Sequence, residues 1–211
     1  SVSCQHYSFA VNAFVDVIKE FGGSKYDFTL RETQTNEIIE DVAKLRSEIG
    51  VLFKSRKNSD VIEKLLRKNN LVFEALFTTP LNVFISSSNP LASKKKITVK
   101  DLKPFPYLTY EQGDFNSFYF SEEPLSPIDL DCSKNIKVRD RATLFNLLIG
   151  LDGYTICSGV ISQKLNGKNI IARPLSVDDK MTVGIILKKG MTLSRYGEHY
   201  IEAIKKHCNN R

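Results

Sequence analysis

Helix-like and strand-like patterns alternate along residues 1–90, and this alternation limits the possible folds more than any other feature of the sequence. Residues 8–21 have the apolar spacing of a helix and stop at Gly22, and further helices are predicted after Thr35 and over residues 60–68. The short apolar run at residues 49–53 is typical of a strand buried in a parallel sheet. Alternation of this kind predicts βαβ units, and therefore an α/β protein with a mostly parallel sheet.

Two details of this first half are predicted from local pattern. Residues 26–31 alternate apolar and polar side chains, which predicts a half-buried strand, and Thr35 or Asn36 is expected to cap the second helix. The first helix is apolar on two sides. Such a helix is either buried between elements of its own chain or contributes to a dimer interface, and the sequence leaves both alternatives open.

The same rhythm starts again after a turn-rich break at residues 86–90. The second half does not repeat the first in sequence, but it predicts a second α/β unit of similar size, interrupted by a connector at residues 121–135. The strands predicted here cover residues 107–110, 136–138, 154–157, 170–173 and 182–187, and the helices cover residues 98–102, 141–151 and 193–207.

Composition and charge exclude several classes of protein. Of the 211 residues, 42% are hydrophobic and 26% are charged, which is the balance of a folded globular chain. No run approaches the ~18 apolar residues of a membrane span. The net charge is +6, but the basic runs are dispersed, without interleaved aromatic residues or a basic helix face. We therefore expect them to be solvated surface rather than a nucleic-acid site.

The spacing of cysteine and histidine indicates no metal site. The four cysteines are scattered without C-x-x-C spacing, and the three histidines form no His-x-x-x-His pair. We expect no metal, and reduced thiols in a cytoplasmic protein. The chain begins Ser-Val-Ser-Cys, without an initiator Met or a signal peptide, which predicts a piece of a longer protein or a processed one.

Catalytic motifs are missing as well. The sequence contains no G-x-G-x-x-G, G-x-x-x-x-G-K-[ST], G-x-S-x-G or H-E-x-x-H. The adjacent acids Glu122 and Glu123 are interpreted as part of a solvated loop rather than as a general acid/base pair. The sequence therefore predicts neither an enzyme nor a cofactor.

Polar side chains cluster where three predicted strands pass into helices. The clusters are residues 5–8, Gln-His-Tyr-Ser; residues 33–35, Thr-Gln-Thr; and residues 139–141, Arg-Asp-Arg. Ser and Thr at such positions can simply cap helices. However, the carboxyl ends of parallel strands share one edge of a sheet, where α/β proteins bind ligands. Three clusters that combine hydroxyl, amide, imidazole and guanidinium groups favour a cleft for a polar ligand.

Three stretches of the chain also stand in an order that is typical of one family. Residues 82–93 read Asn-Val-Phe-Ile-Ser-Ser-Ser-Asn-Pro-Leu-Ala-Ser, a strand followed by a Pro-Leu-Ala turn, and residues 97–102 follow closely. Residues 139–159 form a strand–helix–strand block with Gly150 and Gly153 at its turn, although Asp152 lengthens the usual spacing. Together these stretches resemble the effector-binding (regulatory) domain of LysR-type transcriptional regulators over essentially the whole chain.

The resemblance implies a particular fold and division of the chain. The fold would be α/β and like that of type 2 periplasmic-binding proteins, with two Rossmann-like lobes joined by two crossing strands and a ligand cleft between them. One lobe is expected to comprise residues 1–85 and 185–211, and the other residues 86–184. The family's N-terminal winged helix-turn-helix domain, which binds DNA, would be absent from this chain.

The resemblance also implies a function and a set of ligand contacts. A polar or anionic small molecule would bind between the lobes and control oligomer geometry and DNA binding, in a homodimer or homotetramer without membrane contact. A solute-binding protein of a transporter has the same fold and is the alternative. The candidate ligand-binding residues are Gln5, His6, Tyr7, Ser8, Thr33, Gln34, Thr35, Tyr110, Arg139, Thr143 and Ser158.

Overall fold

The computed structural model describes residues 1–115 and 117–209 as an alternation of strands and helices. The strands are β1 (Val2–Cys4), β2 (Leu30–Glu32), β3 (Ile49–Ser55), β4 (Leu71–Pro80), β5 (Asn82–Ser86), β6 (Tyr107–Tyr110), β7 (Asn135–Val138), β8 (Tyr154–Cys157), β9 (Ile170–Pro174) and β10 (Lys180–Lys188). The α-helices are α1 (Ser8–Phe21), α2 (Thr35–Ala43), α3 (Ser59–Lys68), α4 (Val99–Leu102), α5 (Arg141–Gly150), α6 (Gln163–Asn166) and α7 (Arg195–Asn209). Short 3₁₀ helices cover Pro90–Ser93, Gly113–Phe115 and Phe118–Phe120.

The strands form two sheets of five. The first has the order β2-β1-β3-β10-β4, and the second has the order β7-β6-β8-β5-β9. β1 is parallel to β2 and β3, and β6 is parallel to β7 and β8. β10 is antiparallel to both of its neighbours, and so is β5. Each sheet is therefore mostly parallel, as the alternation predicts, and its one reversed strand is the strand that enters from the other sheet.

The chain crosses between the sheets twice. It leaves the first sheet after Pro80, passes through the buried Leu81 into β5, and returns between Pro174 and Lys180. We use lobe I for residues 1–80 and 180–209, and lobe II for residues 82–174. The boundaries expected from the sequence, 85/86 and 184/185, fall inside β5 and β10, so the change of sheet comes earlier on both crossings.

One apolar core continues through both lobes, and it includes Phe53 in lobe I, Leu81 at the crossing and Tyr107 in lobe II. Helix α1 packs against α7, where the Tyr200 hydroxyl donates to the Ala10 carbonyl at 3.1 Å, and its buried apolar residues share one cluster with residues of β1 and β3. Packing within one chain therefore accounts for much of the two-sided apolar character of this helix.

Two local predictions are wrong. Of the alternating segment, only residues 30 and 31 pair as a strand, because β2 is limited to three residues by its partner β1, which is itself three residues long. Phe28 packs edge-on against Phe14 and Tyr196 instead. Neither Thr35 nor Asn36 caps α2, since Gln34 holds the N-cap position and makes no side-chain capping bond. The Thr35 hydroxyl is used for a contact with lobe II, which the local pattern does not reveal.

Candidate functional site

Two of the three polar loops predicted at strand ends, residues 5–8 and 139–141, contribute to a cleft between the two lobes. His6, Tyr7 and Ser8 line it from lobe I, between β1 and α1, and Tyr110, Arg141 and Ser158 are among its lining residues in lobe II. The cleft is nearly closed, with a cavity of about 40 Å³, which is room for a water molecule or two. The remaining wall is largely apolar.

His6 contacts two residues of lobe II, Glu122 and Tyr110. Its Nδ1 lies 2.9 Å from Oε2 of Glu122, and its backbone N–H donates to the same oxygen at 3.0 Å. The imidazole also stacks on the Tyr110 ring, with centroids 4.0 Å apart and planes 5° apart. Burial alone lowers the pKa of His6, but the Glu122 carboxylate outweighs burial, and the net pKa lies above the usual value. This hydrogen-bonded pair joins lobe I to lobe II, and the raised pKa favours the protonated form of His6, in which the contact is an ion pair.

Glu123 stands beside this pair and is almost completely buried. The Tyr110 backbone N–H donates to its Oε1 at 3.0 Å, and the Ser121 hydroxyl donates to its Oε2 at 2.8 Å. Burial raises the pKa of Glu123 to about 8, and the neighbouring Glu122 charge acts in the same direction. Glu123 is therefore protonated at neutral pH and adds no charge to the cleft.

A second charge pair crosses the cleft with the opposite polarity. Arg141 of lobe II places Nη2 at 3.2 Å from Oε1 of Glu32 in lobe I, at the end of β2. Burial raises the pKa of Glu32, and the Arg141 charge opposes that rise. Within the described residues, Glu32 Oε1 and Arg141 Nη1 are the buried side-chain atoms that have no hydrogen-bond partner. Arg141, which lines the cleft, therefore retains a donor that no described side chain or carbonyl uses.

Other predicted residues hold the lobes together rather than face open space. The Gln5 amide donates to the Thr35 hydroxyl at 2.7 Å, and that hydroxyl donates to the Phe120 carbonyl of lobe II at 2.8 Å. The Thr35 backbone N–H donates to Oε1 of Gln112, also in lobe II, at 3.0 Å. Ser8 contributes in the same way, since its Oγ accepts from the Ser162 backbone N–H at 3.2 Å.

Two further candidates remain close to the cleft. The Tyr7 hydroxyl donates to Oε1 of Gln5 at 2.9 Å, which fixes the Gln5 amide. Ser158 is buried at the end of β8, and its carbonyl accepts from Asn82 on the crossing strand at 3.3 Å. Both residues lie where lobe I, lobe II and the crossing segment meet.

Four of the predicted residues lie away from this cleft. The Thr33 hydroxyl donates to Glu37 on an open surface groove, and Gln34 packs over Gly113. Asp140 caps the start of α5, and Thr143 donates its backbone N–H and its hydroxyl to the Asp140 carboxylate. Thr143 is exposed, and so is Arg139, whose side chain is 79% exposed and pairs with Glu111. Val138 ends β7 pointing inward, so Arg139 points outward, and it is Arg141 that reaches the cleft.

The interpretation of Glu122 and Glu123 as solvated is wrong, because their residues are only 7% and 2% exposed. The connector that carries them lies between β6 and lobe I: Glu123 accepts from the Tyr110 backbone in β6. Glu122 pairs with His6 of lobe I, which is 116 residues away in sequence. Leu125, which follows closely and is buried, was the available local signal that this segment is not solvent-facing.

The cysteines do not supply a reactive group here. Cys4 is buried behind the cleft and Cys157 lines it, and burial raises the pKa of both thiols, so both are protonated at neutral pH. Over residues 1–115 and 117–209, three or more His, Cys, Asp or Glu side chains nowhere gather as metal ligands would. No helix in that part of the chain has the length and apolar character needed to cross a membrane.

A larger groove, of about 640 Å³, lies on the outside of the crossing strands between α1 and α6. It is open to solvent, and the ionisable side chains in its lining are Lys164 and His207. His207 is already paired with Asp16 at 2.7 Å. The inter-lobe cleft, with its buried charges, is therefore the stronger candidate for recognition of a polar ligand.

Comparison with known proteins assigns the family. The LysR substrate binding domain model matches residues 6–209, and no curated protein matches the sequence. The OxyR regulatory domain from Pseudomonas aeruginosa, in its reduced form, is 14% identical with a TM-score of 0.64, covering 100% of this chain and 96% of that one. The effector binding domain of QuiR in complex with shikimate is 14% identical with a TM-score of 0.61, covering 98% and 95%.

HinK, a LysR family transcriptional regulator from Pseudomonas aeruginosa, is 12% identical with a TM-score of 0.61, covering 97% of this chain and 68% of that one. Identities this low establish the fold, which is the α/β, periplasmic-binding-protein-like arrangement of two five-stranded sheets. The family model, which spans nearly the whole sequence, establishes more than the fold: this chain belongs to the LysR substrate binding domain family of transcriptional regulators.

Proposed function

We propose that this domain senses a small polar effector that binds between lobe I and lobe II, at the cluster formed by His6, Glu32, Tyr110, Glu122 and Arg141. One observation carries the proposal: two charge pairs join the lobes, the buried pair His6–Glu122 and the partly buried pair Glu32–Arg141. Side chains of both lobes thus converge on one small polar space, as a ligand that bridges the lobes requires. The related QuiR domain, which holds shikimate, supports a small polar molecule as the class of effector.

In the closed arrangement, the charged side chains of the cleft are already paired with each other and need no ligand. An effector larger than the cavity of about 40 Å³ must separate the lobes and replace the bonds that it displaces. A ligand shifts such an equilibrium only by its differential affinity for the two states. Binding would therefore select a cleft geometry different from the one in which His6 contacts Glu122 directly.

A change in lobe geometry would act on the assembly of subunits. We propose a homodimer or homotetramer in which the outer faces of α1 and α5 contact other subunits; Ile149 on α5 and Leu151 just after it are large apolar side chains that are exposed. DNA would be contacted by a separate domain of the full regulator, in the cytoplasm. The role proposed for this domain is binding, not catalysis.

The test is a ligand screen with two matched arginine variants. Small carboxylates, hydroxy acids, amino acids, amines and sugars are assayed by thermal shift and then by calorimetry against the wild type, Arg141→Met and Arg139→Met. We expect at least one compound to raise the melting temperature, and its affinity to fall tenfold or more in Arg141→Met but to stay unchanged in Arg139→Met. Equal loss in both variants, or no binding by any compound, would contradict the proposal.

A further inference from the structure

The two charge pairs in the cleft have opposite directions, and this restricts what can replace them. Lobe I contributes the cation His6 and the anion Glu32, whereas lobe II contributes the anion Glu122 and the cation Arg141. A ligand that enters between the lobes separates each pair, so each lobe is left with one cation and one anion that have lost their partners. A ligand that shields these groups from water without pairing with them would be disfavoured, because a charge removed from water needs a partner.

A ligand with a single charge can satisfy only half of these groups. A carboxylate could pair with His6 or Arg141, but Glu32 and Glu122 would then lack their cations. An amine would leave the opposite pair of groups without partners. Only a ligand that carries both charges restores a partner to both kinds of group, because a buried charge is tolerated when it is paired and hydrogen-bonded.

We infer that the effector is a zwitterion, a small molecule with both a carboxylate and an ammonium group, of which an α-amino acid is the simplest kind. Its carboxylate is held by Arg141 with His6, and its ammonium group is held by Glu122 with Glu32. The inference rests on the proposed function and names the ligand class of that same cleft.

Two more observations support a zwitterion. Arg141 Nη1 is buried without a hydrogen-bond partner, so this donor is available to a ligand carboxylate. Glu32 Oε1 also makes no hydrogen bond, although it lies 3.2 Å from Arg141 Nη2, so its bonding capacity is not used up by the ion pair. Glu123 is neutral at pH 7, because burial raises its pKa to about 8, so the cleft holds no excess negative charge that would favour an amine alone. The rest of the wall is apolar, with Phe84, Leu144 and Val160, and suits the hydrocarbon part of a small ligand.

The experiment compares amino acids with derivatives that lack one charge. The twenty protein amino acids are titrated calorimetrically into the domain, and each one that binds is repeated as its α-amide and its N-acetyl form. We expect at least one amino acid to bind, and both derivatives to bind at least tenfold more weakly. A simple carboxylate or amine that binds as well as the amino acid would overturn the inference, as would failure of all twenty to bind.

Two variants assign the charges to residues. In Arg141→Met the amino acid should lose tenfold or more in affinity, while the α-amide, which has no carboxylate, should lose much less. In Glu122→Gln the loss should fall on the free amine and spare the N-acetyl form. Equal losses for acid and amide would overturn the assignment. Arg141→Lys retains the charge, and provides the comparison if Arg141→Met does not fold.

The screen separates failure of this inference from failure of the proposed function. If a hydroxy acid or a sugar binds, with the loss in Arg141→Met and none in Arg139→Met, the cleft is an effector site and the zwitterion is wrong. If no compound of any class binds, both are wrong.

Discussion

Replacing Glu123 by Gln should stabilise the domain, and increasingly so as the pH rises. The Gln side chain has nearly the same shape and can keep both hydrogen bonds, accepting from the Tyr110 backbone N–H and donating its amide to Ser121. In the wild type, the folded state keeps this carboxylic acid protonated at a pH where the unfolded chain ionises it, and this difference lowers the free energy of unfolding. The substitution removes that penalty. The variant therefore isolates the free-energy cost of burying this one acid.

The magnitude follows from the shift in pKa. Glu123 has a folded pKa of about 8 against an ordinary value of 4.5, so its contribution to stability is complete below pH 4.5 and is lost as the pH rises from there to 8. At 1.36 kcal/mol per unit, the loss reaches about 3 kcal/mol at pH 7 and roughly 5 kcal/mol above pH 8. Glu123→Gln has no acid to ionise at this position and therefore has no such loss. Its free energy of unfolding should equal that of the wild type near pH 4 and exceed it by these amounts at higher pH.

Urea unfolding of both proteins between pH 4.5 and pH 9 measures this difference directly. Glu74→Gln is the matched control, because Glu74 is exposed on β4, and it should change the free energy of unfolding by less than about 0.5 kcal/mol at every pH. The reasoning would be refuted if the free energy of unfolding of Glu123→Gln stayed within about 0.5 kcal/mol of the wild-type value from pH 5 to pH 9. That result would mean that Glu123 is ionised, or solvated, in the folded domain.

Replacement of two glycines by alanine should change the free energy of unfolding in opposite directions, as measured by urea unfolding. A Cβ at Gly50 would lie 2.6 Å from the Ile186 side chain, so Gly50→Ala should destabilise by about 1–3 kcal/mol; at Gly150, at the end of α5, a Cβ meets nothing within 4 Å, and alanine should stabilise by roughly 0.5–1 kcal/mol. An NMR titration should place the pKa of His6 above 6.5, and lower it in Glu122→Gln, where burial is no longer outweighed by the partner's charge. The stabilisation from this raised pKa is complete below pH 6.5 and is lost as the pH rises through the folded value; an unchanged His6 titration in the variant would contradict the ion pair.

Much of the architecture was predictable because it depends on local periodicity. Helix α1 has the predicted bounds, and β6 and α5 agree within a residue or so, since apolar spacing and turn residues act over a few positions. The capping box at Thr98 and Asp101 is local as well, and it starts α4 where the prediction places a helix. The predicted strand over residues 26–31 shows the limit of such patterns, because a strand needs a partner of matching length.

The site was predictable only in part. Loops at strand ends share an edge of a parallel sheet, so residues 5–8 could be assigned to a cleft without knowing what faces them. Which arginine enters the cleft could not be predicted: Arg139 and Arg141 are two residues apart in one polar cluster, and only Arg141 faces Glu32. The direction of each arginine side chain depends on the backbone path between β7 and α5 and on how this turn packs against lobe I.

Two α/β units with polar loops at their strand ends follow from the amino-acid pattern, and the order of the motifs indicates a regulatory domain. The folded arrangement was needed to show that Glu122 lies against His6, that Glu123 is buried and protonated, and that Glu32 pairs with Arg141. The physical reason is that periodicity acts between neighbours along the chain, whereas the charge balance of a cleft is set between residues that meet only when two lobes close on each other. Such contacts leave no periodic trace in the sequence.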